Sequence, residues 1–102
     1  MFYEIRTEHA RAGLGAELAR YMDETVIPLH QESGMTVVGS FSATDDTFVW
    51  IRRFEDAEDR ERVLDAVHSH PRCAVVIDTV SALLNGAEST VRLEPTPHSG
   101  LR

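Results

Sequence analysis

Lysine is absent from this chain: all ten basic residues are arginines. A lysine Schiff base and a P-loop are thereby excluded, and only the terminal amine is left for imine chemistry. Cysteine occurs once, as Cys73, so no intramolecular disulfide can form. With no apolar leader of signal-peptide type at the N-terminus, the expectation is a reducing, cytoplasmic setting. Paired-cysteine and His-Glu-x-x-His metal motifs are missing. Gly13 and Gly15 precede a helical stretch without the further glycine or the lysine of a phosphate loop. The chain is therefore expected to work without a metal or nucleotide cofactor. Its cations are unclustered and its net charge is −7, which argues against a nucleic-acid partner. Nor is any stretch apolar for long enough to span a membrane.

What is present is 42% apolar and 26% charged over 102 residues, enough for one domain with a modest core. The arginine- and alanine-rich, lysine-free usage points to a GC-rich bacterial genome. Thr47 to Asp56 is the strongest strand signal. Phe48, Trp50, Arg52 and Phe54 alternate onto one side, and Val49, Ile51 and Arg53 onto the other. Both sides are largely apolar, and a sheet covered by helices on one face has no need of that. Two or three helices cannot cover both faces, so a second copy of the chain is expected to cover one. Trp50 and Arg52 are expected to look into the space between the copies.

In chain order, Phe2 to Thr7 alternates as a strand, with Glu4 and Arg6 on the face of Phe2. Leu14, Leu18, Tyr21, Met22, Thr25, Val26 and Leu29 then recur at helical spacing. Pro28 deletes one backbone hydrogen bond in that helix and is expected to loosen it near Thr25 to Ile27, re-aiming Leu29 and His30. Ser33-Gly34 ends it, with Gly34 in a left-handed position. Thr36 to Ser42 pairs with the Thr47 strand through a short turn from Ala43. Asp56 is placed to cap a helix with Val63, Leu64 and Val67 on one stripe. The helix breaks at Ser69-His70-Pro71 and resumes with Cys73, Val76, Ile77, Val80, Leu83 and Leu84 until Asn85-Gly86 closes it. A last strand, Ser89 to Glu94, is expected to turn Val91 and Leu93 inward. The fold class is α+β: a ferredoxin-like β-α-β-β-α-β chain with a four-stranded antiparallel sheet. Residues 1–95 form the domain, and 96–102 a mobile tail.

The candidate groups come from these placements. His30 titrates near neutrality and stands at an irregular helix end, where it can act as a general acid or base or merely cap carbonyls. Arg52 can stabilise a developing oxyanion, or pair with Glu4 across the sheet as a structural bridge. Trp50 and Phe41 form the apolar wall, and Arg6, Glu4, Tyr21 and His68 are further candidates for contact with substrate. Cys73 reads as a small core residue, with nucleophile as the lesser alternative. His68 and His70 have a spacing that does not make a metal pair on a helix.

Tyr3-Glu-Ile-Arg-Thr, Pro28-Leu-His, Gly34-Met-Thr-Val-Val-Gly-Ser-Phe and Phe48-Val-Trp-Ile-Arg-Arg-Phe-Glu-Asp, in this order and spacing, resemble the NIPSNAP family over residues 2 to 85. The resemblance implies a dimeric α/β barrel, in which two ferredoxin-like chains pair their sheets and each leaves a cavity between helices and sheet. It also implies a kinship of fold with haem-degrading and antibiotic-biosynthesis monooxygenases and with polyketide cyclases, many of them independent of cofactors. Two departures stand out. Glu8-His9 replaces the aromatic residue common after Arg-Thr, and Ser69 to Cys73 lacks a tryptophan often found there. The expected function is a small-molecule enzyme of specialised metabolism, carrying out a cyclisation, isomerisation or oxygenation on an aromatic or polyketide-like substrate. The alternative is a non-catalytic homodimer that binds a small ligand or a protein.

Overall fold

The computed structural model describes residues 1–101; Arg102, the end of the expected tail, lies outside them. The elements are β1 (Phe2–Ala10), α1 (Gly15–Tyr21), a π-helical turn (Met22–Val26), α2 (Ile27–Glu32), β2 (Thr36–Ala43), β3 (Thr47–Phe54), α3 (Ala57–His68), α4 (Cys73–Leu83) and β4 (Leu84–Leu93). The four strands form one antiparallel sheet in the order β2-β3-β1-β4, the ferredoxin-like arrangement expected from the sequence. Among the described residues no helix is long and apolar enough to cross a membrane.

The alternation in β3 decides which face carries the core. Phe48, Trp50, Arg52 and Phe54 are buried and their neighbours only partly so. Trp50 and Phe54 are fully enclosed together with Leu18, Met22 and Leu29 of the first helical segment. Each such large side chain contributes roughly 1.5–3 kcal/mol of burial. Trp50 and Arg52 thus look toward the chain's own helices, which corrects the expectation that they face a second copy. Both faces of β3 are apolar, so alternation alone could not choose between them. The bulk of the aromatic set, matched by the helical stripe, does.

Local chemistry explains the joints. Asp56 caps α3 by accepting a hydrogen bond from the Asp59 amide at 2.7 Å, with Glu58 and Asp59 in the acidic first turn. Gly34 has φ +103°. Gly34 N donates to Gln31 O and Met35 N to His30 O, the paired bonds of a Schellman end to α2. In the β2–β3 turn, Asp45 and Asp46 both take φ +59°. Asp46 then spans to the β1–α1 loop, where its two carboxylate oxygens accept from Gly13 N and Gly15 N, each at 3.0 Å.

The last strand differs from its expected limits. It begins at Leu84, and Asn85-Gly86 falls inside it, where the register with β1 shifts between Glu8 and Ala10. Asn85 Oδ1 accepts from the Ala87 amide while Gly86 takes φ +93°. The pair that reads as a helix stop therefore builds a bulge instead. Val91 and Leu93 also point away from the core. Val91 lies opposite Ile5 and Leu93 opposite Tyr3, on the face without helices, and Val91 is 51% exposed. From Pro95 the chain turns at Thr96–Ser99 and lies against Tyr3 and Leu93.

Candidate functional site

His30 is positioned by the irregular helix before it. Pro28 has no amide to donate, and the turn ahead of it is π-helical, with the Ile27 amide reaching back to Met22 O. One added residue per turn swings the later side chains by about 100° relative to a continuous α-helix. Leu29 is thereby buried, and His30 is brought edge-on to Trp50, with ring centroids 5.2 Å apart and planes at 82°. The His30 Nδ1 lies 2.7 Å from the carbonyl of Val26. A carbonyl only accepts, so Nδ1 carries the proton in the neutral ring and Nε2 keeps its lone pair. Burial pushes the His30 pKa below its ordinary 6.5. The Val26 carbonyl opposes this shift, and the charges of Arg52, Arg6 and His68 reinforce it.

Arg52 and Glu4 face each other across β3 and β1. Arg52 Nε and Nη2 donate to Glu4 Oε1 at 3.0 and 2.8 Å, and Arg60 of α3 donates to Oε2 at 2.7 Å. The Arg52 guanidinium also lies 5.1 Å from the Trp50 ring centroid and 5.9 Å from that of Phe54. Burial works against ionisation of Glu4, but the hydrogen bonds and charges of the two arginines outweigh it and hold its carboxyl below the ordinary range. Arg52 is pulled downward by burial and held up by Glu4. An arginine starts so high that it stays charged.

Between sheet and helices lies a cavity of about 390 Å³. His30, Trp50, Arg52 and Arg6 line it, with Met22 and Leu29 from the first helical segment and Val76 and Val80 from α4. The exposed His68 stands at its edge, at the end of α3. Three expected contacts are not brought here. Phe41 is 56% exposed and sits opposite Val49, so it lies on the other face of the sheet from Trp50, its ring over Gly39. A one-residue shift between Val37 and Gly39 in β2 sets that register. Tyr21 is partly buried against the core and does not line the cavity. Glu4 stands behind the wall with both oxygens engaged by arginine.

Two other lining groups, Glu8 and Arg60, escaped the sequence reading. Glu8 is buried on the floor beside Arg6, on the same side of β1 as Glu4, and the alternation of β1 was the signal that could have found it. Arg60 lies on the helix that Asp56 caps, in the turn before its Val63, Leu64 and Val67 stripe, and only the packing of α3 on the sheet brings it to Glu4. Cys73 is buried and lines the cavity at the first turn of α4.

No protein-family model matches the chain, and no curated protein does. Solved structures do. A NIPSNAP family protein of unknown function from Agrobacterium tumefaciens is 22% identical and superposes with a TM-score of 0.89 over 100% of this chain and 94% of its own. An uncharacterised NIPSNAP domain protein from Burkholderia xenovorans is 18% identical, with a TM-score of 0.86 over 97% and 98% of the two chains. A putative antibiotic biosynthesis monooxygenase from Nitrosomonas europaea is more distant, at 13% identity and a TM-score of 0.67 over 93% and 98%. At these identities the shared property is architecture, and the fold of this chain, over nearly its whole length, is that of the NIPSNAP family.

Proposed function

We propose that this chain is a small-molecule enzyme that uses His30 as a general base in the cavity between sheet and helices. The observation that carries the reading is the Nδ1 contact with the Val26 carbonyl, which leaves Nε2 unprotonated in a buried ring beside Trp50. A base poised below neutrality, in a cavity of about 390 Å³, suits proton abstraction from one small organic molecule. Arg52 acts through its field and by fixing the Trp50 face, since its own hydrogen bonds are already directed at Glu4. Aromatic and polyketide-like substrates fit such a wall, and cyclisation, isomerisation and cofactor-free oxygenation all begin with that proton transfer. The name of the Nitrosomonas neighbour adds weight to oxygenation among them. The setting is bacterial, cytoplasmic and specialised metabolism.

The working unit is a homodimer. Gly39, Ile51, Ile5 and Val91 form one row across all four strands on the face away from the helices, and Phe41, Val49, Thr7 and Ser89 form the next. A sheet face with one row apolar throughout and half of the next asks for a cover, and a second copy supplies a matching one. A non-catalytic ligand-binding dimer is the second reading. It is favoured by the pairing of Arg52 Nε and Nη2 with Glu4, which turns that edge of the guanidinium away from a substrate.

Native mass spectrometry of the protein purified from its source organism tests both parts. A dimer carrying a small organic mass identifies the ligand, and turnover of that ligand should then fall about 10²-fold or more in His30→Ala while binding persists. Turnover unchanged by the substitution removes His30 from the mechanism. Binding without turnover by either protein supports the second reading.

A further inference from the structure

Two buried side-chain polar atoms of the cavity-lining residues have no protein hydrogen-bond partner. One is Trp50 Nε1, a donor; the other is Glu8 Oε1, an acceptor. Both side chains are otherwise nearly enclosed, at 2% and 4% exposure. Arg6 Nε lies 3.3 Å from Glu8 Oε1, close enough for charge attraction but outside hydrogen-bonding geometry. Folded proteins seldom leave such groups unmet, and two in one wall call for a reason. They are also neighbours. Glu8 faces Phe48 and Trp50 faces Arg6 across β1 and β3, so Glu8 and Trp50 are diagonal partners on one sheet face, roughly 7–8 Å apart along the backbone.

The charges around them cancel. On one side two arginines, Arg52 and Arg60, share the single carboxylate of Glu4. On the other, Arg6 lies between Glu8 and Glu88, with its Nη2 2.7 Å from Glu88 Oε2. An anionic ligand would have to take an arginine from a carboxylate, and a cationic one a carboxylate from an arginine. A neutral molecule disturbs neither pairing. On the opposite wall Met22, Leu29, Val76 and Val80 offer apolar contact, with His30 and Ser81 the polar groups among them.

We propose that the cavity selects a neutral, mainly apolar molecule bearing both a carbonyl and a hydroxyl. The carbonyl accepts from Trp50 Nε1–H and the hydroxyl donates to Glu8 Oε1. This rests on the reading of the cavity as a ligand site and gives that site its substrate class, with Glu8 and Trp50 as the specificity-determining residues.

Trp50 is the only tryptophan, so a ¹⁵N-labelled sample gives one indole N–H resonance, and that resonance reports on the site. Four compounds are titrated at neutral pH: para-hydroxyacetophenone, para-methoxyacetophenone (donor blocked), para-ethylphenol (carbonyl removed) and para-hydroxybenzoate (anion). The hydroxyacetophenone should move the indole signal to lower field and bind at least about tenfold more tightly than the other three. Glu8→Leu should erase its preference over the methoxy compound while keeping the indole shift, and Glu8→Gln, which retains an acceptor, should restore part of it. Trp50→Phe should erase its preference over ethylphenol. Equal affinity for all four, or a preference for the benzoate, overturns the proposed class and leaves the cavity a ligand site of another kind. No binding by any of the four at millimolar concentration overturns both the class and the ligand site beneath it.

Discussion

His30 and the Arg52–Glu4–Arg60 group are single side chains whose titration has consequences for the whole molecule. The folded state holds His30 below 6.5, so the unfolded chain binds the proton more readily, and stability falls as pH drops below 6.5 toward the folded value. Glu4 is also held below its ordinary 4.5. Its contribution is present in full above that pH and is lost as pH falls through the lower, folded value. Urea midpoints measured across this range should therefore decline in two steps, and His30→Gln should abolish the first and leave the second. In the catalytic reading, kcat/KM should keep its plateau to below pH 6.5, because the base stays neutral there. An acid limb centred above 6.5 would count against His30 as that base. Breaking the buried pair is a separate matter. Arg52→Met leaves Glu4, 5% exposed, with Arg60 as its remaining ionic partner, and should cost about 3 kcal/mol, the low end for breaking a buried pair, in denaturant titrations. Replacing both partners, as Glu4→Leu with Arg52→Met, should recover most of that loss, because the desolvation of both charges disappears with them.

At the scale of elements, the joints hold the site in place. Asp46 ties the β2–β3 turn to the start of α1 through two hydrogen bonds, and α1 leads directly into the π-helical turn that aims His30. Asp46→Asn keeps a residue that tolerates a left-handed backbone but trades one acceptor oxygen for a donor. It should cost about 1 kcal/mol, read as a shift in the thermal midpoint. Gly15→Ala should do more harm, about 1–3 kcal/mol, because its new methyl would lie 2.7 Å from Asp46 Oδ1 and 2.8 Å from Asp46 Cα. The side-chain oxygen can yield, but the backbone carbon cannot do so cheaply. A Gly15→Ala protein as stable as the parent would mean that this joint is looser than its geometry. The bulge at Asn85-Gly86 is another such device. It lets β4 follow α4 with no intervening loop, and so keeps the helix over the cavity.

For the whole molecule, the question is what covers the sheet face that the helices leave open. That face carries Ile5, Val49, Ile51, Phe41 and Val91, while Tyr3 and Leu93 at one corner lie under the turn of the C-terminal segment. A dimer predicts a single species of about twice 11.4 kDa in light scattering at micromolar concentration. Ile51→Glu places a charge in the middle of the apolar rows and should give a monomer, with the cavity on the far side of the sheet intact. A parent protein that is monomeric under the same conditions would contradict the homodimer.

The sequence by itself determined the order of the elements, the alternation of β3, the cap at Asp56, the end of α2 at Gly34 and the disturbance caused by Pro28. Each depends on residues within one or two turns, and local spacing and backbone chemistry decide them. It also carried the resemblance to the NIPSNAP family, which the architecture bears out at the level of fold. Only the tertiary structure decided that Trp50 and Arg52 face the helices, that Val91 and Leu93 face away from them, and that Phe41 stands apart from Trp50. Those outcomes depend on which side of the sheet the helices settle on and on the register shifts in β2 and β4. Such choices are made between residues far apart in the chain, and two apolar faces on one strand look alike until something packs on one of them. The Glu4–Arg52–Arg60 group shows the same limit: alternation put Glu4 and Arg52 within reach of each other, but Arg60 joins them only because α3 folds back across the sheet.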